Sequence, residues 1–523
     1  MEISRSVPRC TTTTPGARMP CSLQALVPTK ARQPRCLTCK ATGGRVDRRD
    51  VLLGLGSVAA AGLGAQRGRG RGRGAIAAPI QAPHLGNCNP PDLPNTAPDT
   101  NCCLTSGSGI GIIDFVLPPA SSAPLRVRPA AHLVDAEYLA KYERTVALMK
   151  QLPGDDPRSF EQQWRVHCAY CDGAYDQVGF PDLEIQVHNC WLFFPWHRFY
   201  LYFHERILGK LIGDDTFALP FWNWDAPAGM TLPAVYANRS SPLYNERRDP
   251  AHQPPFPVDL DYNVIDVIIP TDEQIDQNLN IMYRQMPNSE DMGNFYSAAR
   301  DPIFFAHHGN IDRLWHVWRG LRPGNADFAG ADWLDTAFFF YDEEARPVRV
   351  RVRDCLDPAA MGYAYQHVGL PWLKAKPAKT SRRTPAPAAG ALPATLRETV
   401  RVKVTRPRVS RSDKEKEEEE EVLIIEGIQV ADHIKFVKFD VLVNAPESGG
   451  DGASGYCAGR VAMTPHMVRT NKKGSMKTVA RFGVCDLMDN IGADGDKTVV
   501  VSLVPRCGGD LVTIGGVSIG YTK

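Results

Sequence analysis

Apolar residues change their spacing near residue 374, and that change limits the fold open to each side of the chain. On the N-terminal side they recur at helical intervals: Leu139, Val146 and Leu148 in 135–148, a second run in 160–170, and an aromatic-rich run in 191–212. Ile275, Leu279, Met282 and Met286 repeat the pattern in 272–286, and Asp301-Pro302 opens a helix expected to reach about residue 321. Beyond the change, 399–405 alternates strictly, and 422–425, 436–443, 497–504 and 511–519 are short β-branched runs separated by Gly and Asp. Residues 374–394, dense in Pro, Ala, Lys and Arg, read as an exposed linker. The expected fold is α+β: a mainly helical bundle over 78–373, a linker at 374–396, and an antiparallel β-sandwich over 397–523. The acidic run 417–421 reads as a solvated hairpin tip. A bundle of this kind can carry a metal site between its helices, built from inward-facing histidines.

The first 77 residues differ in composition from all that follows, with 14 Lys and Arg against three acids, Glu2, Asp47 and Asp50. Residues 1–45, rich in Ser, Thr, Pro and Arg, have the composition of an organelle transit peptide. Arg48-Arg49 then opens an apolar run ending near Gly64, too short to span a bilayer and similar to a twin-arginine export signal; Ala75-Ile76-Ala77 supplies a cleavage site. Two signals in series point to a plastid and then the thylakoid lumen. Without them 46 basic and 55 acidic side chains remain, about −9 with His neutral, which argues against nucleic acid and anionic membrane as partners. The Arg-Gly repeat at 67–74 precedes the cleavage site and is no evidence for an RNA partner. Of 14 cysteines, Cys10, Cys21, Cys36 and Cys39 leave with the leader. Cys88, Cys102, Cys103 and Cys168 lie in or near a loop-like stretch that needs staples, so two disulfides among them are expected; free buried thiols are the alternative.

Three strings carry the chemistry. They are His167-Cys-Ala-Tyr-Cys171, then His188-Asn-Cys-Trp-Leu-Phe-Phe-Pro-Trp-His197-Arg198, and Asp301-Pro-Ile-Phe-Phe-Ala-His307-His308-Gly-Asn-Ile-Asp312-Arg313. They closely resemble the copper-binding segments of plant polyphenol oxidases, the catechol oxidases and tyrosinases with a dinuclear copper centre. The likeness continues through Asp332-Trp333-Leu334, Tyr363 and Tyr365, and Lys438-Phe439-Asp440-Val441. It implies oxidation of small o-diphenols to o-quinones by O2, with His167, His188 and His197 on the first copper and His308 on the second. Neutral imidazole suits an ion that alternates between Cu(I) and Cu(II). The same resemblance implies a thioether between Cys171 and His188, Phe295 as a gate over the second copper, Asp312 and Arg313 as a structural pair, and the C-terminal domain as a shield. His307 is the non-ligating neighbour, because one residue of helix turns a side chain by about 100°.

The sequence departs from that family at one place. The family's other two ligands of the second copper come from a His-x-x-x-His helix, and here Met286 runs directly into Pro287; among 13 histidines no two are four apart. His204 is two turns, roughly 10 Å, from His197, and His252 and His316 read as structural. Glu290 or Asp291 could substitute, but hard oxygen ligands suit this copper chemistry poorly. The expectation is therefore one copper or fewer and impaired turnover. The alternative is an inactive relative, or a splice or gene-model product, that binds at most one copper.

Overall fold

The computed structural model describes residues 78–522 apart from 94–96, 106–110, 120–124, 189, 263–268, 285–294, 322–324, 378, 381–382, 434, 448–454 and 466–476. The leader, with its twin-arginine and cleavage signals, lies outside the described residues, as does the junction of Met286 and Pro287. The fold is α+β, helices first and antiparallel sheets after.

Among the described residues five long helices frame the first part: α1 (Ala136–Gln151), α2 (Phe160–Cys171), α3 (Phe193–Ile212), α4 (Thr271–Arg284) and α5 (Ile303–Leu321). Three of the starts are set by local side-chain caps. Asp135 accepts the Tyr138 amide at 2.8 Å, and Ser159 accepts that of Gln162 at 3.2 Å. Asp301, held by Arg248, accepts the Ile303 amide at 3.1 Å at the head of α5. Gly213, at φ +68°, ends α3 in the left-handed conformation that glycine adopts without strain. From Pro195 to Gly209 every α3 side chain except Arg206 is buried, so α3 is the central helix and has no solvent face.

A buried ionic network ties α3 and α5 to the strand pair β1 (Arg126–Arg128) and β2 (Tyr363–Tyr365), which run parallel. Glu205 of α3 accepts from Arg126 at 2.9 Å, Arg128 at 2.8 Å and the Leu219 amide at 2.8 Å. Asp312 of α5 accepts from Arg198 at 2.5 Å, from Tyr363 at 2.7 Å and from Tyr365. Burial works against charge on both acids, but the guanidiniums outweigh it and hold both carboxyls below their ordinary range.

The second part is a two-sheet sandwich of β3 (Ala394–Thr395), β4 (Val400–Thr405), β5 (Glu420–Val430), β6 (Val437–Val443), β7 (Cys457–Met463), β8 (Lys477–Gly483), β9 (Thr498–Cys507), β10 (Val512–Ile514) and β11 (Gly516–Thr522). One sheet runs β8-β5-β10-β3 with β11 also on β5; the other runs β7-β6-β9-β4. Val400, Val402 and Val404 point inward with Val499, Val501 and Leu503 of β9, the period of two that the sequence shows.

Two expectations need correction here. The linker does not stay exposed to 396: Ala386 and Ala389 donate to backbone carbonyls of Ala445 and Arg401, Ala394–Thr395 is a strand, and Leu396 is fully buried. The acidic run is not a solvated tip either. Ser412 caps a short helix, Asp413–Glu418, and Glu421 is buried in β5 because the buried Arg406 guanidinium needs its carboxylate, at 2.8 Å. The two parts also touch. Lys438 of β6 donates to the carbonyls of Asp261 and Tyr262 and to the Asp261 carboxylate, which Arg460 also pairs at 2.8 Å.

Candidate metal centre

His167 stands on α2, His188 on the coil before α3, and His197 in the second turn of α3. All three are buried, and one nitrogen from each lies within 4.8 Å of the others. Ring centroids are 5.1 Å apart for His167–His188 and His188–His197, and 5.8 Å for His167–His197. The tautomer of His197 follows from its neighbour. Nδ1 stands 2.7 Å from the Phe193 carbonyl, which can only accept, so Nδ1 carries the proton and Nε2 keeps its lone pair. That Nε2 is buried with no hydrogen-bond partner. Burial first, then the His167 ring, pushes the His197 pKa well below its ordinary value, so the ring is neutral and ready to ligate. A soft-to-borderline ion held by three imidazoles fits this set.

His308 of α5 does not join that trio. Its ring lies flat against His197, centroids 4.3 Å apart and planes 7° apart, with Phe304 at 4.1 Å on another side. Its Nδ1 is also buried and without a partner, but among the described residues no second group of three ligating side chains closes. His307 faces Trp224 and Trp222 instead, perpendicular to His308 at 88°. His204 sits on Phe305 at 3.6 Å with Nδ1 3.1 Å from Gln163, a satisfied structural histidine. His252 packs against Tyr262, and His316 is on the exposed face of α5. Glu290 and Asp291 lie outside the described residues, and so does the Phe295 side chain, whose backbone opens the short turn Phe295–Ala298.

Cys171 is a buried free thiol one turn beyond His167, and its carbonyl accepts from Gln186 at 3.2 Å, two residues before His188. Cys88 pairs with Cys103, and Cys102 with Cys168, so the four candidate cysteines form two disulfides. Sequence reasoning missed Phe304 and Phe193, which wall the cluster: Phe304 stands 4.7 Å from His167, and Phe193 4.4 Å from His197. Phe193 precedes His197 and Phe304 precedes His308 by four residues, the spacing that puts two side chains on one helix face.

The common central domain of tyrosinase matches residues 157–259 and 268–321, the polyphenol oxidase middle domain 327–378, and the chloroplastic polyphenol oxidase C-terminal domain 392–521. A chloroplastic polyphenol oxidase of Malus domestica is 45% identical over 94% of this chain and 93% of its own length. The chain belongs to the plant polyphenol oxidases of the tyrosinase family. A chloroplastic (+)-larreatricin hydroxylase of Larrea tridentata is 41% identical over 91% of each chain. The structure of latent apple tyrosinase superposes with a TM-score of 0.73 at 47% identity, covering 79% of this chain and all of that one. Latent aurone synthase does so at 0.79 and 35% identity, covering 85% and 99%. For a polyphenol oxidase the metal is copper, and the His167, His188 and His197 set fits it.

Proposed function

We propose that this polyphenol oxidase keeps its first copper site and lacks most of its second, so that oxidation of o-diphenols to o-quinones by O2 is impaired in this chain. The observation that carries the reading is the contrast between three imidazoles within 4.8 Å and His308, which stacks on one of them and has no second ligating group around it among the described residues. Copper, when bound, supplies the electron exchange between phenol and O2, and an exchange of two electrons needs a second ion close by. The chain's own part is to hold neutral imidazoles in a dry pocket: the Phe193 carbonyl fixes the His197 tautomer, and Phe304 excludes water from the ring faces.

A second reading, that the chain is a splice or gene-model product of a complete enzyme, is favoured by one observation. The match to the Malus domestica relative spans 567 aligned positions, more than the 523 residues of this chain, so that relative carries residues missing here. A transcript read across the Met286–Pro287 junction separates the two readings. Metal analysis of the purified mature protein should give about one copper per chain, with catechol oxidation no faster than a free-copper control. Inserting the His-x-x-x-His segment of a complete relative between Met286 and Pro287 should bring back a second ion and turnover together. Two coppers and ordinary turnover from the unaltered chain would end this reading.

Three further proposals follow from the same family membership. Cys171 and His188 are joined by a thioether, supported by the buried thiol and by Gln186, which links the two segments. The sandwich shields the metal face, supported by the Lys438 and Arg460 contacts with Asp261. The protein resides in the chloroplast, in the thylakoid lumen, supported by the two leader signals and by relatives named chloroplastic. Tryptic mapping checks the first two: a linked Cys171–His188 peptide pair lighter by two hydrogens, and early cleavage after the exposed Arg383 that leaves two stable fragments. Fractionation of intact plastids checks the third, and recovery of the protein in the stroma would exclude the lumen.

A further inference from the structure

His188 is the one member of the imidazole trio that no helix or strand carries, yet it and Val187 are buried. A buried backbone amide needs an acceptor, and outside a helix or sheet none comes from a neighbouring turn or strand. Here the side chain of Gln186 serves twice: Oε1 accepts the Val187 amide at 3.0 Å and the His188 amide at 2.9 Å. Nε2 of the same side chain donates to the Cys171 carbonyl at 3.2 Å, one of the last carbonyls of α2, which lack a donor within their own helix. These partners settle the orientation of the Gln186 amide. Turned over, it would set an NH2 against two N–H groups and an oxygen against a carbonyl.

The Gln186 backbone extends the path. Its carbonyl accepts from the Cys190 thiol at 3.2 Å, the Cys190 carbonyl accepts the Phe193 amide at 3.1 Å, and the Phe193 carbonyl accepts Nδ1 of His197 at 2.7 Å. One line of hydrogen bonds thus runs from the end of α2 to two ligands of the trio, and Gln186 stands where it leaves the helix.

We propose that Gln186 is a positioning residue of the copper site: Oε1 holds the His188 backbone so that its ring meets the ion with His167 and His197, and Nε2 holds the Cys171 backbone at the spacing the thioether needs. The assignment rests on the first copper site of the proposed function. Closing the thioether removes one hydrogen from the Cys171 thiol and one from a His188 ring carbon. One C–S bond forms, and two electrons and two protons pass to dioxygen, which leaves as hydrogen peroxide. The two ends of the Gln186 amide can be separated by substitution. Gln186→Leu removes both, whereas Gln186→Glu keeps the acceptor, now charged, and removes the donor.

The test uses the full mature chain, stripped of metal, titrated with Cu(II) alone and followed by electron paramagnetic resonance, whose hyperfine pattern counts imidazole nitrogens. The same preparations are mapped for the Cys171–His188 peptide link. Gln186→Leu should bind Cu(II) about 10–100-fold more weakly, the usual loss when the partner that orients a ligand is removed. It should also show one imidazole nitrogen fewer and give separate peptides. Gln186→Glu should keep the parent's affinity and nitrogen count and link less Cys171. Ser159→Ala, which loosens the far end of α2, should change none of the three, so lost stability alone does not imitate the effect. A Gln186→Leu chain with the parent's affinity and spectrum would overturn the proposal and leave the copper site standing. So would a Gln186→Glu chain that loses a nitrogen, and this variant decides the matter if Gln186→Leu does not fold. A parent chain that takes up no copper would end the first-copper reading and the Gln186 assignment with it. Copper with a free Cys171 thiol in the parent would overturn the thioether half of the assignment and leave the other half to the spectrum.

Discussion

The two halves of the copper pocket are built on different plans. His167, His188 and His197 come from a helix, a coil and a second helix, each fixed by its own local structure: the Ser159 cap, the Gln186 contacts, and the burial of α3 on every side. His308 comes alone from α5, and its expected partners would have arrived together on one short helix that this chain does not contain. Ligands spread over separate elements survive a local deletion, whereas ligands on one contiguous segment are lost together. On the reading proposed above, the parallel contact of His308 with His197 is what remains of the second half.

The largest effect expected is a direct break of this contrast. His197→Ala should lower copper from about one ion per chain to near zero after gel filtration, because two imidazoles bind copper weakly against the buffer. His308→Ala should leave copper within about 20% of the parent value, because His308 lies outside the trio. Metal analysis of both variants is sufficient, and equal losses from the two would mean that His308 ligates the same ion.

The next effect bears on the network that joins the halves. Asp312 of α5 accepts from Arg198 of α3, the residue next to His197, and Arg198 also donates to the Cys355 carbonyl at 2.9 Å. Asp312→Asn keeps the shape and removes the charge, leaving Arg198 buried without its counter-ion, while Arg128 keeps Glu205. A loss of about 3–5 kcal/mol in urea unfolding at pH 7 is expected. The folded pKa of Asp312 is depressed, so its contribution is full above its unfolded value near pH 4 and disappears as pH falls through the lower folded value. The gap between parent and variant should therefore hold from pH 7 to about 5 and close below pH 4.

Much of this architecture is legible in the sequence. Helical periodicity places α1 to α5 to within a few residues, and α1, α2 and α5 also carry start signals at Asp135, Ser159 and Asp301. Strict alternation marked β4, where Val400, Val402 and Val404 all face the core. The disulfide pairing was not readable, since four cysteines allow three connectivities and only the fold chooses between them. Nor was the fate of Glu421, which a run of acids disguises as solvated surface; its buried partner Arg406 lies 15 residues away and no local rule links them. The aromatic wall escaped for the opposite reason. Phe193 and Phe304 look like ordinary core residues, and only their spacing of four from His197 and His308 separates them from the rest.

The smallest effect sharpens the claim that each ligand of the trio is positioned locally. Ser159 is 1% exposed, and its hydroxyl accepts the Gln162 amide at 3.2 Å at the head of α2, two turns before His167. In Ser159→Ala that amide loses its acceptor where water cannot replace it, and stability should fall by about 1–2 kcal/mol, the upper part of the range for N-caps. Copper content should not change. His167 lies in the far half of α2, where the Cys102–Cys168 disulfide anchors the helix independently of its first turn. Urea unfolding and metal analysis of one preparation test both statements. A drop in copper as large as the His197→Ala loss would mean that the first turn of α2 fixes the ligand, and that the three ligands are not each positioned by their own local structure.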